Sequence, residues 1–288
     1  MTDRGSVIGP YGTRLSWVAE GEGTPLVFCN GLANDAFQWG AVLGRLQGRG
    51  RLITWDYPGH GESDPAASDE AVEIPSLADA LLRVVDAAAG DDARPVLLGY
   101  STGCQLVLEA WRSWSGRIRG LVCALGTSGR PFDTFMGTSV LGKLAHGIVH
   151  ATPGPAWSVA MKSASAMGPL SFLSSQLMGI TERRIRYAEF APWLTHMGKL
   201  DGPSFRAMAL AAQRHSAEDV LPTVSVPTLV VAGGTDVFTP PDQAKAMDAA
   251  IPDSELVFLP SASHAGLVGH GEQIANSILA FLERRELL

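Results

Sequence analysis

The sequence predicts an α/β fold, a mostly parallel eight-stranded sheet with helices on both faces, interrupted once by a helical insertion. Three observations lead there. Short β-branched apolar runs bounded by Gly, Pro or Asp recur along the 288 residues, segments of helical period separate them, and the alternation fails between residues 128 and 217.

Residues 6–9 and 13–19 flank Pro10-Tyr11-Gly12 and open the sheet as an antiparallel hairpin. Strands follow at 26–29, 52–55, 96–98, 121–125, 228–232 and 256–259. Their apolar runs are continuous rather than alternating, which suits strands buried on both faces. Helix-period segments lie between them at 36–46, 76–88, 105–114, 242–250 and 272–284. The stretch 128–217 is too long for a structureless loop in a compact domain. Candidate helices at 141–150, 157–167, 170–178, 181–194 and 204–215, punctuated by Pro153, Pro155, Pro169, Pro192 and Pro203, make it a helical cap. The core domain is then residues 1–127 with 218–288.

A chain that is 46% hydrophobic and 18% charged can bury a large core. Its net charge of −7, without a run of five like charges, argues against nucleic acid and other polyanionic partners. Residues 1–21 lack the apolar run of a secretory signal, so a cytoplasmic protein is expected. No window of eighteen apolar residues predicts a membrane span. Cys29, Cys104 and Cys123 are odd in number, lack CxxC spacing and sit in or beside apolar runs, so they read as buried reduced thiols.

The chemistry concentrates in Gly99-Tyr100-Ser101-Thr102-Gly103, between a buried strand and a helix. A strand that turns sharply into a helix strains the apex residue and crowds the positions two either side, where glycine relieves the collision. The G-x-S-x-G pattern thereby lifts the Ser101 hydroxyl above the sheet edge, and the Thr102 N–H can donate to an oxyanion there. Asp236, in VAGGTDVFTPP, and His264, in LPSASHAG, each follow a later strand, so both fall on the carboxyl edge that carries Ser101.

These segments resemble the α/β-hydrolase superfamily over the whole chain except the insertion. FCNGLANDAFQW is similar to the family's His-Gly oxyanion segment, and WDYPGHGESD to its D-x-x-G-x-G-x-S segment. The resemblance implies a Ser101, His264 and Asp236 triad, with oxyanion donors at the backbone N–H groups of Leu32 and Thr102. Asn30 stands where the family has histidine. The expected activity is hydrolysis of a small or medium apolar carboxylic ester through an acyl-enzyme, with no cofactor and no metal. A lactonase, a C–C bond hydrolase, a cofactor-free perhydrolase and a non-catalytic ligand receptor remain as alternatives.

Trp39, Tyr100, Met136, Phe172, Trp193 and Phe238 are candidates for the substrate pocket, and methionines in the insertion, among them Met161, Met167, Met178, Met197 and Met208, suit an adaptable apolar lining. Other residues take structural readings. His60 reads as loop scaffolding, His270 as a cap or surface residue, and Asp242 as a helix N-cap. His146 and His150 stand four apart, a spacing metal ligands use, without a third candidate nearby.

Overall fold

The apolar runs become strands because each is sandwiched between two layers of helix. In the computed structural model, which describes residues 2–288, the strands are β1 (Thr2–Ile8), β2 (Arg14–Glu20), β3 (Pro25–Cys29), β4 (Arg51–Trp55), β5 (Val96–Tyr100), β6 (Gly120–Ala124), β7 (Thr228–Gly233) and β8 (Ser254–Leu259). They form one sheet in the order β1-β2-β4-β3-β5-β6-β7-β8. Only the β1–β2 and β2–β4 pairs are antiparallel. Parallel pairing from β4 through β8 brings the carboxyl ends of β5, β7 and β8 to one edge.

Alternate residues of each central strand enter different cores, which explains the unbroken hydrophobicity. On β3, Val27 and Cys29 join one core while Leu26 and Phe28 join the other. The first core packs against α2 (Ile74–Ala89) and α3 (Thr102–Trp114), through Leu77, Leu81, Val107 and Trp111, and against α9 (Pro241–Ala250), through Met247. The second packs against α1 (Gly40–Leu46) and α11 (Gly271–Arg284), through Val42, Leu46, Ile278 and Phe281. The edge strand β1 alternates exposed and half-buried positions instead, as a strand facing water on one side must.

Five helices lie between β6 and β7: α4 (Ser139–Ala151), α5 (Gly154–Ala166), α6 (Gly168–Leu177), α7 (Tyr187–Met197) and α8 (Gly202–Arg214). Pro155, Pro169 and Pro203 occupy the first turns of α5, α6 and α8, where proline's missing N–H costs nothing. A short helix, α10 (Gly266–Gly269), precedes α11.

Several boundaries differ from expectation for local reasons. The segment from Ala36 is a 3-10 turn as far as Trp39, and α1 starts only at Gly40. Helix α7 starts at Tyr187 rather than 181, because the Glu189 carboxylate accepts the Arg186 amide at 2.8 Å and so sets the first turn there. Asp242 lies inside the first turn of α9, behind an N-cap at Pro240, and its exposed carboxylate pairs with Lys245. Cys29, Cys104 and Cys123 are free and buried, and burial pushes the Cys29 and Cys104 thiols up, away from thiolate formation. Among the described residues no helix is long and apolar enough to cross a membrane.

Candidate active site

Ser101 sits at the β5–α3 junction with φ 57° and ψ −121°, a left-handed conformation that costs energy for any residue with a side chain. The turn is tight enough to require its flanking glycines. A Cβ on Gly99 would strike the Gly103 carbonyl, and one on Gly103 would strike the Cys29 carbonyl of the neighbouring strand. The apex is pinned by the Ser101 amide on the Ala124 carbonyl (3.1 Å) and the Cys104 amide on the Ser101 carbonyl (3.0 Å).

The three residues expected at the site meet there. His264 Nε2 lies 3.0 Å from Ser101 Oγ, and His264 Nδ1 lies 2.8 Å from Asp236 Oδ2. Asp236 is buried and fully engaged. Its Oδ1 accepts the Phe238 and Thr239 amides at 2.8 and 2.9 Å, and its Oδ2 accepts the Thr239 hydroxyl at 2.9 Å. These donors satisfy both oxygens of a side chain buried away from water. The His264 ring stacks on Tyr100 (centroids 5.4 Å) and lies against Phe238 (4.9 Å), while the Tyr100 hydroxyl donates to the His264 carbonyl at 2.7 Å. Burial, and next the charge of Asp236, push the Tyr100 phenol upward, so it stays a neutral donor.

Leu32 and Thr102 border the same cavity as Ser101. Neither amide donates to another group of the chain among the described residues, so both remain available to a bound oxygen. Gly31 permits the approach, since a Cβ there would come 2.8 Å from Ser101 Cβ. Asn34 Nδ2 donates to the Leu32 carbonyl at 2.9 Å and so orients the loop. The substituted Asn30 is supported as well: its side chain donates to the Trp55 carbonyl at 3.3 Å, and its own carbonyl accepts the Tyr57 hydroxyl at 2.7 Å. Beyond Asn34, Asp35 pairs with His196 of α7 at 3.1 Å. Burial raises the Asp35 carboxyl, but the hydrogen bond and charge of His196 outweigh it and leave that group below its usual range.

A cavity of about 290 Å³ opens at Ser101. The core contributes Leu32, Tyr100 and Phe238, and the insertion contributes Trp157, Met161, Trp193, Met197, Phe205 and Ala209. Among the described residues, His264 and the neutral Tyr100 phenol are the ionisable side chains of its lining.

Three pocket candidates lie elsewhere. Trp39 is wholly buried in the core, edge-on to Phe28 and Tyr100. Phe172 packs on Phe190 and Tyr187 between α6 and α7. Met136, in a turn with φ 51°, donates its amide to the Val237 carbonyl, and its side chain is not part of the lining. Of the methionines, Met167 and Met178 are exposed, and Met208 belongs to the main core.

Of the histidine readings, only the surface position for His270, the N-cap residue of α11, needs revision. His270 is buried, with Nε2 3.3 Å from Glu182 of the insertion. His60 is buried off the cavity, with Nδ1 3.0 Å from the Pro58 carbonyl. His146 and His150 lie 6.3 Å apart, ring to ring, and no metal-holding group of three ligands exists among the described residues.

The lining residues missed in sequence did leave a trace. Trp157 and Met161 on α5, Trp193 and Met197 on α7, and Phe205 and Ala209 on α8 are all i,i+4 pairs. The period marks a shared face but not what the face meets. Glu182 left no trace at all.

Comparison with known proteins agrees with the architecture. Residues 26–277 match the model of the alpha/beta hydrolase family, and the chain belongs to that family. It is similar to polyketide synthase ThaQ of Burkholderia thailandensis, 29% identical over 95% of this chain, a match that spans only 12% of that much longer protein. A pimeloyl-[acyl-carrier protein] methyl ester esterase of Neisseria meningitidis is 26% identical over 85% of this chain and 91% of its own. Among solved structures, a thermophilic esterase from Thermogutta terrifontis superimposes with a TM-score of 0.74 at 22% identity, covering 98% of both chains, a likeness of fold.

Proposed function

We propose that this protein is a serine hydrolase that cleaves a small or medium apolar carboxylic ester through an acyl-enzyme. The observation that carries the reading is the continuous hydrogen-bond chain from Ser101 through His264 to Asp236, opening on an apolar cavity. Neutral His264 takes the Ser101 proton at Nε2 while Oγ attacks the ester carbonyl carbon. Asp236 holds the other ring proton at Nδ1 and stabilises the imidazolium. The amides of Leu32 and Thr102 receive the oxyanion, and fixed donors of this kind are worth about 3–4 kcal/mol each in related chemistry. Collapse expels the alcohol, which takes the proton from His264, and water repeats the sequence to release the acid.

The lining supports a neutral substrate, because an ester carrying a carboxylate would find no cation in the cavity. The volume, at the low end of ligand sites, favours a modest acyl group. In this reading residues 128–217 act as a cap, α5, α7 and α8 closing over Ser101 and selecting the acyl chain. A fluorophosphonate probe tests the chemistry: it should label the wild type at Ser101 and leave Ser101→Ala unlabelled. No labelling, together with no turnover of activated esters from acetate to dodecanoate, would remove the hydrolase assignment.

A further inference from the structure

Helix α6 is built inside out. Its buried positions are Gly168 and Ser175, the serine hydroxyl bonded to Thr181 Oγ1 at 2.8 Å. Leu170, Leu173 and Leu177, spaced i, i+3 and i+7 along one face, are instead 56%, 51% and 78% exposed. Helix α4 repeats the arrangement. Val140, Leu144 and Ile148 climb one exposed face at i, i+4 and i+8, and Gly142 and Val149 are the buried positions. Of the 15 large apolar side chains exposed among the described residues, 11 fall between Val140 and Tyr187. Scattered exposed aliphatics are ordinary, whereas a concentration of this kind in one segment calls for a partner.

The charge pattern identifies the kind of partner. Residues 134–181 contain no Asp or Glu and carry Lys143 and Lys162, both exposed, with exposed Arg183 and Arg186 just beyond. Residues 128–217 hold nine of the chain's 22 Lys and Arg but four of its 29 Asp and Glu. The net charge of −7 therefore conceals a cationic insertion on an acidic core, which is why whole-chain charge argued against a polyanionic surface.

We propose that the exposed face of α4–α6 docks onto an anionic lipid bilayer, its aliphatic side chains entering the acyl–headgroup boundary and Lys143, Lys162 and Arg183 meeting the phosphates. The exposed large apolar side chains within α4, α5 and α6 are aliphatic, the segment's one exposed aromatic, Tyr187, standing at the start of α7. Such a face suits a fluid lipid surface better than a structured protein interface, where aromatic hot spots predominate. A second copy of the chain would oppose like charges across a two-fold axis. Helix α5 joins the two functions, since its Trp157 and Met161 line the cavity while Val159 and Lys162 face outward. Docking would lay the roof of the cavity against the lipid.

Flotation of the full chain with vesicles of equal phosphatidylglycerol and phosphatidylcholine, against phosphatidylcholine alone, tests this. Partitioning should be at least about tenfold higher on the anionic vesicles and fall with added salt. The combined Leu170→Ser, Leu173→Ser and Leu177→Ser variant should lose at least about tenfold in partitioning. The combined Lys143→Glu, Lys162→Glu and Arg183→Glu variant should lose the preference for anionic lipid. Both should turn over a small water-soluble ester like the wild type, which also reports that they fold. Equal partitioning on neutral vesicles, no flotation with either lipid, variants that float like the wild type, or a solution dimer that the serine variant dissociates would each overturn the proposal. The wild-type vesicle comparison decides without the variants, and flotation of Ser101→Ala separates docking from hydrolysis.

Discussion

The Glu182 carboxylate accepts the backbone N–H of Ser263 at 2.9 Å, so a residue of the helical insertion holds the loop that delivers His264. Its other oxygen lies 3.3 Å from His270 Nε2 and 2.6 Å from Arg184 Nε, and the Glu182 and His270 side chains are both buried. Glu182→Ala would leave the Ser263 amide without its acceptor and remove the buried carboxylate beside the His270 ring, which keeps Ser261 Oγ at 3.4 Å. The expected cost is about 3 kcal/mol of stability, as for other broken buried pairs. A loosened His264 should also lower kcat about tenfold with KM little changed, because the lost positioning affects the reaction rather than binding. Glu182→Gln retains an acceptor for Ser263 and should recover most of kcat. Urea unfolding and ester kinetics on the two variants check both halves. His270→Ala, which a surface histidine would tolerate, should destabilise by about 1–3 kcal/mol while sparing most of kcat.

The triad reading makes a sharper demand. Ser101→Ala and His264→Ala should each lose about 10⁴–10⁶-fold in kcat while folding normally. Asp236→Asn discriminates between a structural and a chemical role. Two amides occupy Oδ1, so the new NH₂ group would replace the oxygen that accepts His264 Nδ1–H. That group would favour a His264 tautomer with its proton on Nε2, unable to accept one from Ser101. A loss near 10⁴-fold in kcat with unchanged thermal stability is expected. An Asp236→Asn enzyme within about tenfold of wild type would make the contact merely structural.

The strands and the Ser101 elbow were legible because their causes are local. β-Branched runs such as Thr228–Gly233 are apolar throughout since both faces are covered, and the glycines at 99 and 103 mark a collision within a few residues of chain. Facing in the insertion was not legible. Phe172 and Trp193 occupy similar helical contexts, yet only Trp193 reaches the cavity, because the choice depends on how α6 and α7 dock on each other. Trp39 was misread for a related reason: proximity in sequence to the Asn30–Asn34 loop does not show that its ring turns inward onto Phe28. The Glu182–Ser263 bond joins residues 81 positions apart and carries no local signature.

His60 makes the fold sensitive to acid. Burial lowers this histidine from 6.5 to about 4, outweighing the Pro58 carbonyl, and the His196 ring lies 5.9 Å away. A depressed histidine is neutral in the folded state and protonates first in the unfolded chain. The unfolded state therefore binds more protons between about 6.5 and about 4, and stability falls as pH falls through that window. Across the whole window the loss amounts to about 3 kcal/mol. His60→Asn should flatten the dependence of unfolding free energy on pH between 6.5 and 5 by roughly the slope of one proton. A variant with the wild-type slope would place the acid sensitivity elsewhere.

Selectivity should be separable from chemistry, because the insertion supplies Trp157, Met161, Trp193 and Met197 to the cavity lining while the Ser101–His264–Asp236 hydrogen-bond chain belongs to the core. Trp193 and Met197 stand one turn apart on α7, and Trp157 and Met161 one turn apart on α5, so the acyl chain would meet two facing pairs of large side chains. None of the four hydrogen-bonds to Ser101, His264 or Asp236. Replacing Trp193 or Trp157 by alanine should enlarge the cavity and admit longer acyl chains. Each methylene newly accommodated is worth about 1–3 kcal/mol in transition-state binding, or about 10–200-fold in kcat/KM. The ratio of long-chain to short-chain kcat/KM should therefore rise by at least tenfold, with rates on acetate esters falling little. Phe172→Ala serves as the internal control, since its ring lies between α6 and α7 and off the cavity, so it should cost stability and leave the ratio unchanged. If Phe172→Ala shifted the ratio and Trp193→Ala did not, the cavity at Ser101 would not be where the acyl chain binds.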